Sequence, residues 1–202
     1  MNSAAFEADF AASPLVMQRL NHYAELLMEW QGKLNLVGPN TIPHLWQRHF
    51  ADSAQLIPLV PPGQSWIDIG TGAGFPGMVI AAMDAGAVVL VESIQKKIRF
   101  LEAVRDSLGL QHNVTIICGR AEDVPVMPSA VATARAVAPL TRLIPWATRH
   151  LRRGGVMLFP KGRNWAAEVA EARKSFALDL RAIPSKTDPE ARILQIQMRE
   201  GH

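Results

Sequence analysis

The stretch from Trp66 to Gly77, WIDIGTGAGFPG, constrains this chain more than any other. Four strand-forming residues, Trp66 to Ile69, run straight into the alternating glycines Gly70, Gly72 and Gly74, and an apolar stretch follows from Gly77. Glycine is needed where a backbone turns sharply, or where a ligand lies on the main chain with no Cβ between them. The helix expected beyond the loop adds unpaired N–H groups and the positive end of its dipole. A strand, a glycine loop and a helix in this order form the opening unit of a doubly wound sheet. Ligands of such sheets lie beyond the carboxyl ends of the strands.

The rest of the chain fits that unit. Strands are expected at Ser65–Ile69, Ala87–Val91, Val114–Ile117, Val131–Ala134 and Gly155–Pro160, with a last pair at Leu178–Ile183 and Arg192–Gln197. Helices fit between them at Gly77–Ala85, Ile94–Leu108, Leu140–His150 and Trp165–Phe176. Crossovers of this length imply an α/β fold with a mainly parallel sheet. Ahead of it, Ser13 and Pro14 form a helix start. Leu15, Leu20, Tyr23, Leu26, Leu27 and Trp30 recur at helical spacing, and Gly32 is the expected stop. A second short helix is expected from near Thr41, and the Pro58, Pro61, Pro62, Gly63 cluster marks a boundary. Residues 1–62 thus read as a helical cap and residues 63–202 as the α/β domain, the two forming one structural unit.

Composition narrows the function classes. Hydrophobic residues make up 49% and charged residues 19% of the 202, as in a packed globule. The longest apolar run, Gly77 to Val91, is interrupted by Asp84 and two glycines, so no membrane span is expected. The acidic N-terminus is unlike a secretory signal, and the expected location is cytoplasmic. A single cysteine, Cys118, and six scattered histidines call for no metal. No dimerisation stripe stands out, and a monomer is expected. Charge is uneven: residues 1–92 carry three basic against eight acidic side chains, residues 93–174 fourteen against six. Such a local excess suits a polyanionic partner.

The loop chemistry selects a cofactor. Glu92 stands eighteen residues after Gly74 at the end of the second strand, where its carboxylate can accept hydrogen bonds from both ribose hydroxyls of an adenosine. The dinucleotide pattern G-x-G-x-x-G fails, because counting from Gly70 reaches Phe75, and counting from Gly72 reaches Gly77 with Pro76 just ahead. Asp68 precedes the loop, giving D-x-G-x-G-x-G. A carboxylate there suits an amine or loop N–H groups and repels a pyrophosphate. S-adenosylmethionine has no phosphate and carries an ammonium and a sulfonium, so it is favoured over a nicotinamide dinucleotide. Arg120-Ala121-Glu122-Asp123 follows the third strand and borders the expected adenine edge.

With these pieces in place, the sequence resembles the ribosomal small-subunit guanine-N7 methyltransferase family, also called glucose-inhibited division protein B. The likeness rests on IDIGTGAGFPG, VESIQKKIRFLE, GRAED and ATARAVAPL, together with Trp30–Leu36 and Arg48–Ser53, and runs from about Leu20 to Lys161. Departures are Val37-Gly38 in place of a usual Thr, Glu92-Ser93 where Asp-Ser is common, and Pro160 before Lys161 where Leu is usual. The resemblance implies the seven-stranded class I methyltransferase fold. It also implies S-adenosylmethionine bound by Gly70, Phe75, Ala121, Glu122 and Arg135, and 7-methylguanosine at position 527, in the 530 loop of 16S rRNA, as the product. The implied partner is 16S rRNA or the small ribosomal subunit.

The chemistry needs no catalytic side chain. Guanine N7 offers an in-plane lone pair with no proton to lose, so positioning carries the reaction. Arg120, Arg135 and Lys161, at the ends of the third, fourth and fifth strands, are expected to meet phosphates or the guanine O6 edge. An Arg120–Glu122 salt bridge is the competing reading. A base taken from folded RNA needs an apolar shelf, for which Phe75 and Pro76 are candidates, with core packing the equal alternative. Three other functions stay open at this point: methylation of another RNA or of a small molecule, a non-catalytic RNA-binding role, and nicotinamide oxidoreduction.

Overall fold

The computed structural model describes residues 1–198; residues 199–202, part of the expected second unit, lie outside the described residues. A short helix that the sequence did not suggest, α1 (Ser3–Phe10), opens the chain, with the Asn2 side chain accepting from Ala5 N–H at 2.9 Å. The second helix, α2 (Pro14–Leu34), begins as expected, with Ser13 accepting from Val16 N–H and Pro14 in the first turn. It buries Val16, Met17, Leu20, Tyr23, Leu27 and Gln31, whereas Leu15 points outward.

Gly32 does not end α2. The helix runs on to Leu34 and stops at Asn35, whose left-handed φ of 47° lets its N–H bond to Gln31 O. The buried Gln31 side chain gives the reason. Its Nε2 donates to Val37 O at 2.8 Å and its Oε1 accepts from Val37 N–H at 3.0 Å. These two bonds offset the roughly 1 kcal/mol that an interior glycine costs a helix.

The single helix expected from Thr41 is also different. A 3₁₀ stretch (Pro39–His44) leads into a wide π turn (Trp46–Ala51), and α3 (Asp52–Ala54) follows. Pro43 has no N–H to give an α ladder, which accounts for the break. The π turn points Arg48 and His49 toward the carboxyl end of the sheet, and both line the cavity described below.

Seven strands form one sheet in the order β3-β2-β1-β4-β5-β7-β6. They are β1 (Trp66–Ile69), β2 (Val88–Glu92), β3 (Val114–Cys118), β4 (Ser129–Thr133), β5 (Leu151–Lys161), β6 (Leu178–Pro184) and β7 (Arg192–Met198). The first five are parallel, and β7 enters antiparallel between β5 and β6. The helices are α4 (Gly77–Ala82), α5 (Gln95–Ser107), α6 (Leu140–His150) and α7 (Trp165–Ala172). α4 ends before the expected Ala85 because Asp84 turns left-handed at φ 54°, and α7 ends before Phe176. β5 starts earlier than expected, immediately after α6.

Alternate residues of β1 feed two cores, as a sheet covered on both faces requires. Trp66 packs with α2, α4 and α5, while Ile67 and Ile69 pack with α6 and α7. The first cluster also takes in Phe6, Leu20, Tyr23 and Phe50, so the cap and one face of the sheet share a continuous buried layer. This layer brings the cap over the carboxyl end of β1.

Candidate functional site

At the carboxyl ends of β1, β2, β4 and β5 lies a cavity of about 900 Å³, walled on one side by the glycine loop and on the other by the cap. Its size is near the upper end of the range for small-molecule sites, about 300–1,000 Å³, and gives room for more than one ligand group. Gly70, Gly72 and Gly74 have φ of 67°, 63° and 94°, which is the left-handed region that favours glycine. A Cβ on Gly72 would meet no side chain within 4 Å, so this backbone stands open to the cavity.

Asp68 does not face that space. It is fully buried beneath the loop, where its Oδ2 accepts from Thr71 Oγ1 at 2.5 Å and from Gly77 N–H at 2.8 Å. Of the two partners the sequence allowed it, the loop is the one it binds; its Oδ1 has no partner among the described residues. Burial raises its pKa to about 6 against the opposing pull of those two bonds. Gly74 is likewise turned inward: a Cβ there would run into Tyr23, Met78 and Leu101. Asp68 and Gly74 therefore shape the loop from behind.

Glu92 faces the cavity from the end of β2 and is already heavily bonded. Its Oε2 accepts from Gly72 N–H at 3.0 Å, and its Oε1 accepts from Ser93 and Ile94 N–H at 2.8 and 2.9 Å. An ionised carboxylate offers about four acceptor sites. Three are used, so Glu92 keeps acceptor capacity toward the cavity, where the ribose hydroxyls are expected. The donor set otherwise fits an adenosine, with glycine backbone beneath and a carboxylate at the β2 end.

The loop after β3 is held from behind by α6. The buried His150 accepts from Met127 N–H through Nδ1 at 3.2 Å and donates from Nε2 to Ala121 O at 3.1 Å. Burial lowers its pKa, which keeps the ring neutral, as these two roles require. Arg149 donates to the carbonyls of Ala121 and Glu122. Ala121 and Glu122 thereby line the cavity in a fixed position. Arg120 stands exposed at the rim, and no Arg120–Glu122 ion pair occurs among the described residues.

The other two expected cations are not loose. Arg135 donates to Arg48 O at 2.8 Å, to Asp52 Oδ2 at 3.1 Å and to His49 Nδ1 at 2.8 Å, so it ties the end of β4 to the cap. Lys161 donates to Ala138 O and to Glu168 Oε2, both at 2.8 Å. Both line the cavity, each with its charge balanced by a carboxylate. Phe75 is among the residues that line the cavity. It is 3% exposed, stacks on Tyr23 at 5.3 Å and meets Phe50 and His49 at 5.5 and 4.9 Å. Of the shelf and core readings, core packing is the one its ring contacts support, while its place in the cavity wall keeps it beside the expected cofactor; Pro76 is buried as well.

Sequence reasoning gave no role to the cap residues that complete the second wall around Arg135. His49 accepts from Arg135 at Nδ1, so its Nε2–H donates to Thr41 Oγ1 at 2.8 Å, and Thr41 in turn donates to Gly38 O. Burial, with Arg135 and Arg48 alongside, pushes its pKa down to about 3. Asp52 Oδ1 accepts from Thr187 Oγ1 at 2.8 Å, and Arg48 pairs with Asp188 at 3.3 Å. The Arg48–Ser53 segment carried part of the family resemblance, which was the one available signal.

Comparison with known proteins agrees with this geometry. A family model described as rRNA small subunit methyltransferase G (GidB) matches residues 16–193. Relatives described as ribosomal RNA small subunit methyltransferase G include one from Paramagnetospirillum magneticum, 45% identical over 182 residues, covering 90% of this chain and 88% of the relative. Another, from Caulobacter vibrioides, is 44% identical over 201 residues, covering 98% and 92%. Among solved structures, a tRNA methyltransferase of M. jannaschii aligns with a TM-score of 0.59 at 14% identity over 82% of this chain and 51% of its own. An O-methyltransferase from neocarzinostatin biosynthesis, with S-adenosylmethionine bound, aligns at 0.56 and 15% identity over 67% and 49%. At such identities the structural likeness is one of fold.

Proposed function

The chain belongs to the rRNA small subunit methyltransferase G family, and from that premise we propose how its cavity serves methylation of guanine N7 at position 527 of 16S rRNA, in the 530 loop. It is an S-adenosylmethionine-dependent enzyme, and its product is 7-methylguanosine. The observation that carries the reading is the two-walled cavity, open glycine backbone and Glu92 on one side and the charge-balanced Arg135 on the other.

When bound, S-adenosylmethionine supplies a sulfonium methyl that an unprotonated ring nitrogen can accept directly. The open backbone of Gly72 gives the donor main chain to lie against, Gly70 turns the chain into it, the remaining acceptor site of Glu92 takes one ribose hydroxyl, and Ala121 and Glu122 read the adenine edge. Asp68 and Gly74 hold the loop in shape from behind. No residue need remove a proton. His49 does not act as a base, since both its nitrogens are engaged and its proton is already on Nε2. The methylated guanine becomes positive, and an uncompensated cation beside it would oppose the reaction. Pairing Arg135 with Asp52 and Lys161 with Glu168 lowers that opposition while leaving N–H donors near the base. Exposed Arg120 at the rim meets RNA phosphate, where full charge helps. This site works in the cytoplasm, where the small subunit is assembled.

The direct test is transfer of labelled methyl to small subunits from cells lacking the enzyme, with naked 16S rRNA and tRNA alongside, followed by strand cleavage at 7-methylguanosine. One modified guanine at 527 is expected. Transfer to tRNA alone, or cleavage elsewhere in 16S rRNA, would overturn the target assignment.

A further inference from the structure

A guanine drawn out of folded RNA loses its stacking partners and needs an apolar surface inside the cavity to lie against. Phe75 and Pro76 are committed to the core. Seven large apolar side chains stand exposed on the described residues, and of these Val137, 40% exposed, is the one that lines the cavity. Its exposure is built in. Arg135 is bound to the cap on one side of it, and Ala138 O is held by Lys161 on the other. Between these anchors Ala136 has φ 56°, a left-handed conformation rare for any residue with a Cβ. Strained turns of this kind persist where surrounding contacts hold them, and here they turn Val137 over the glycine loop. Its Cγ2 and Cγ1 lie 2.7 and 3.0 Å from where a Cβ on Gly70 would stand, so the side chain rests directly on that backbone.

We propose that Val137 is the shelf on which the ring of the target guanine lies during transfer, an inference that rests on the guanine-N7 reading of the same cavity. Three properties suit it to this role. It is β-branched, which restricts its χ1, so the surface is largely ready before the base arrives. It is uncharged, so it does not oppose a ring that becomes positive. It also sits between the two balanced cations, Arg135 two residues before it and Lys161 bonded one residue after it, which places edge donors beside an apolar face.

The test uses the full-length enzyme and small subunits that lack the modification. Wild type, Val137→Ala, Val137→Thr and Val137→Ile are compared by single-turnover methyl transfer, by KM for subunits, by calorimetric affinity for S-adenosylmethionine and by thermal midpoint. Val137→Ala is expected to slow transfer at least fivefold, with cofactor affinity within twofold and an unchanged midpoint. Val137→Thr keeps the shape and loses apolarity, and is expected to slow transfer at least threefold, whereas Val137→Ile stays within twofold of wild type. A purely structural role would instead lower the thermal midpoint or the cofactor affinity in step with the rate. The shelf is overturned alone if wild type forms 7-methylguanosine and Val137→Ala does so at the same rate, or if the loss follows weakened cofactor binding. A wild-type enzyme that forms none on small subunits overturns the guanine reading and the shelf together.

Discussion

On the wall of the cavity made by β1 and β2, the carboxylates Asp68 and Glu92 accept from main-chain N–H groups no more than twenty positions away. Gly72 donates to Glu92, Gly77 to Asp68, and Ile94 to Glu92. On the facing wall, Arg135 reaches Arg48, His49 and Asp52 across 87, 86 and 83 positions, and Thr187 reaches Asp52 across 135. The first wall is a local motif whose backbone is the binding surface. The second is assembled by side chains from the cap, from β4 and from the β6–β7 hairpin. A cofactor met through its backbone-facing groups suits the first; a base read at its edge suits the second.

The largest effect should come from the first wall. Glu92→Ala removes one acceptor from three main-chain N–H groups as well as from a ribose hydroxyl. Cofactor affinity should fall about 100-fold, on the order of 3 kcal/mol. Calorimetry checks this, and an affinity within threefold of wild type would remove Glu92 from the cofactor site.

Arg135→Ala tests the second wall. Single-turnover transfer to small subunits should drop at least tenfold while the protein stays folded. If cofactor affinity stays within about threefold, Arg135 serves the base; if it falls in step with the rate, the residue belongs to the donor wall and the division between the walls fails. Asp52→Asn should act in the same direction and more weakly. It keeps an acceptor for Thr187 but presents an amide, in place of a negative oxygen, to Arg135. A two- to fivefold loss of rate and about 1–2 kcal/mol of stability are expected, read by denaturant unfolding. An unchanged rate would mean that Arg135 needs no charge partner.

The same division decides what could be read from sequence. The glycine loop, Glu92 and the strand ends were legible because each depends on neighbours within one βα unit and on the fixed rule that ligands lie beyond parallel strands. Asp68 was placed correctly on its strand, and both of its possible partners were foreseen, but only packing decides that it turns beneath the loop. Gly32 misled because Gln31 stabilises the helix end by reaching Val37, a side-chain contact with no periodic signature. Phe75 looked available because it stands in a run of small residues, Gly72-Ala73-Gly74 before it and Pro76-Gly77 after it. Its neighbours in space, Tyr23 and Phe50, come from the cap. Arg135 and Lys161 were found as cavity residues from their strand ends, while their carboxylate partners, Asp52 and Glu168, lie on other elements.

The smallest effect in the wild type hides two larger ones, because each wall buries a titrating group and the two oppose each other. Asp68, on the donor side, has a folded pKa of about 6, above its ordinary 3.8, owing to burial. The folded state therefore holds the proton more tightly, and this group makes stability fall as pH rises from about 4 to about 6, with no further change above. His49, on the acceptor side, has a folded pKa of about 3, below its ordinary 6.5, owing to burial and to Arg135 and Arg48. There the unfolded state binds more protons, so this group makes stability rise with pH from about 3 to about 6.5. Between pH 4 and 6 the slopes cancel in large part, each reaching at most about 1.4 kcal/mol per pH unit. Single variants separate them. Relative to wild type, Asp68→Asn should make stability climb more steeply with pH over that window, and His49→Gln should make it climb less or decline. Urea unfolding at half-unit steps from pH 4.5 to 6.5 measures both differences. Parallel profiles for all three proteins would show that neither group carries its proton differently in the folded state; a shift in only one variant would assign the buried titration to that wall alone.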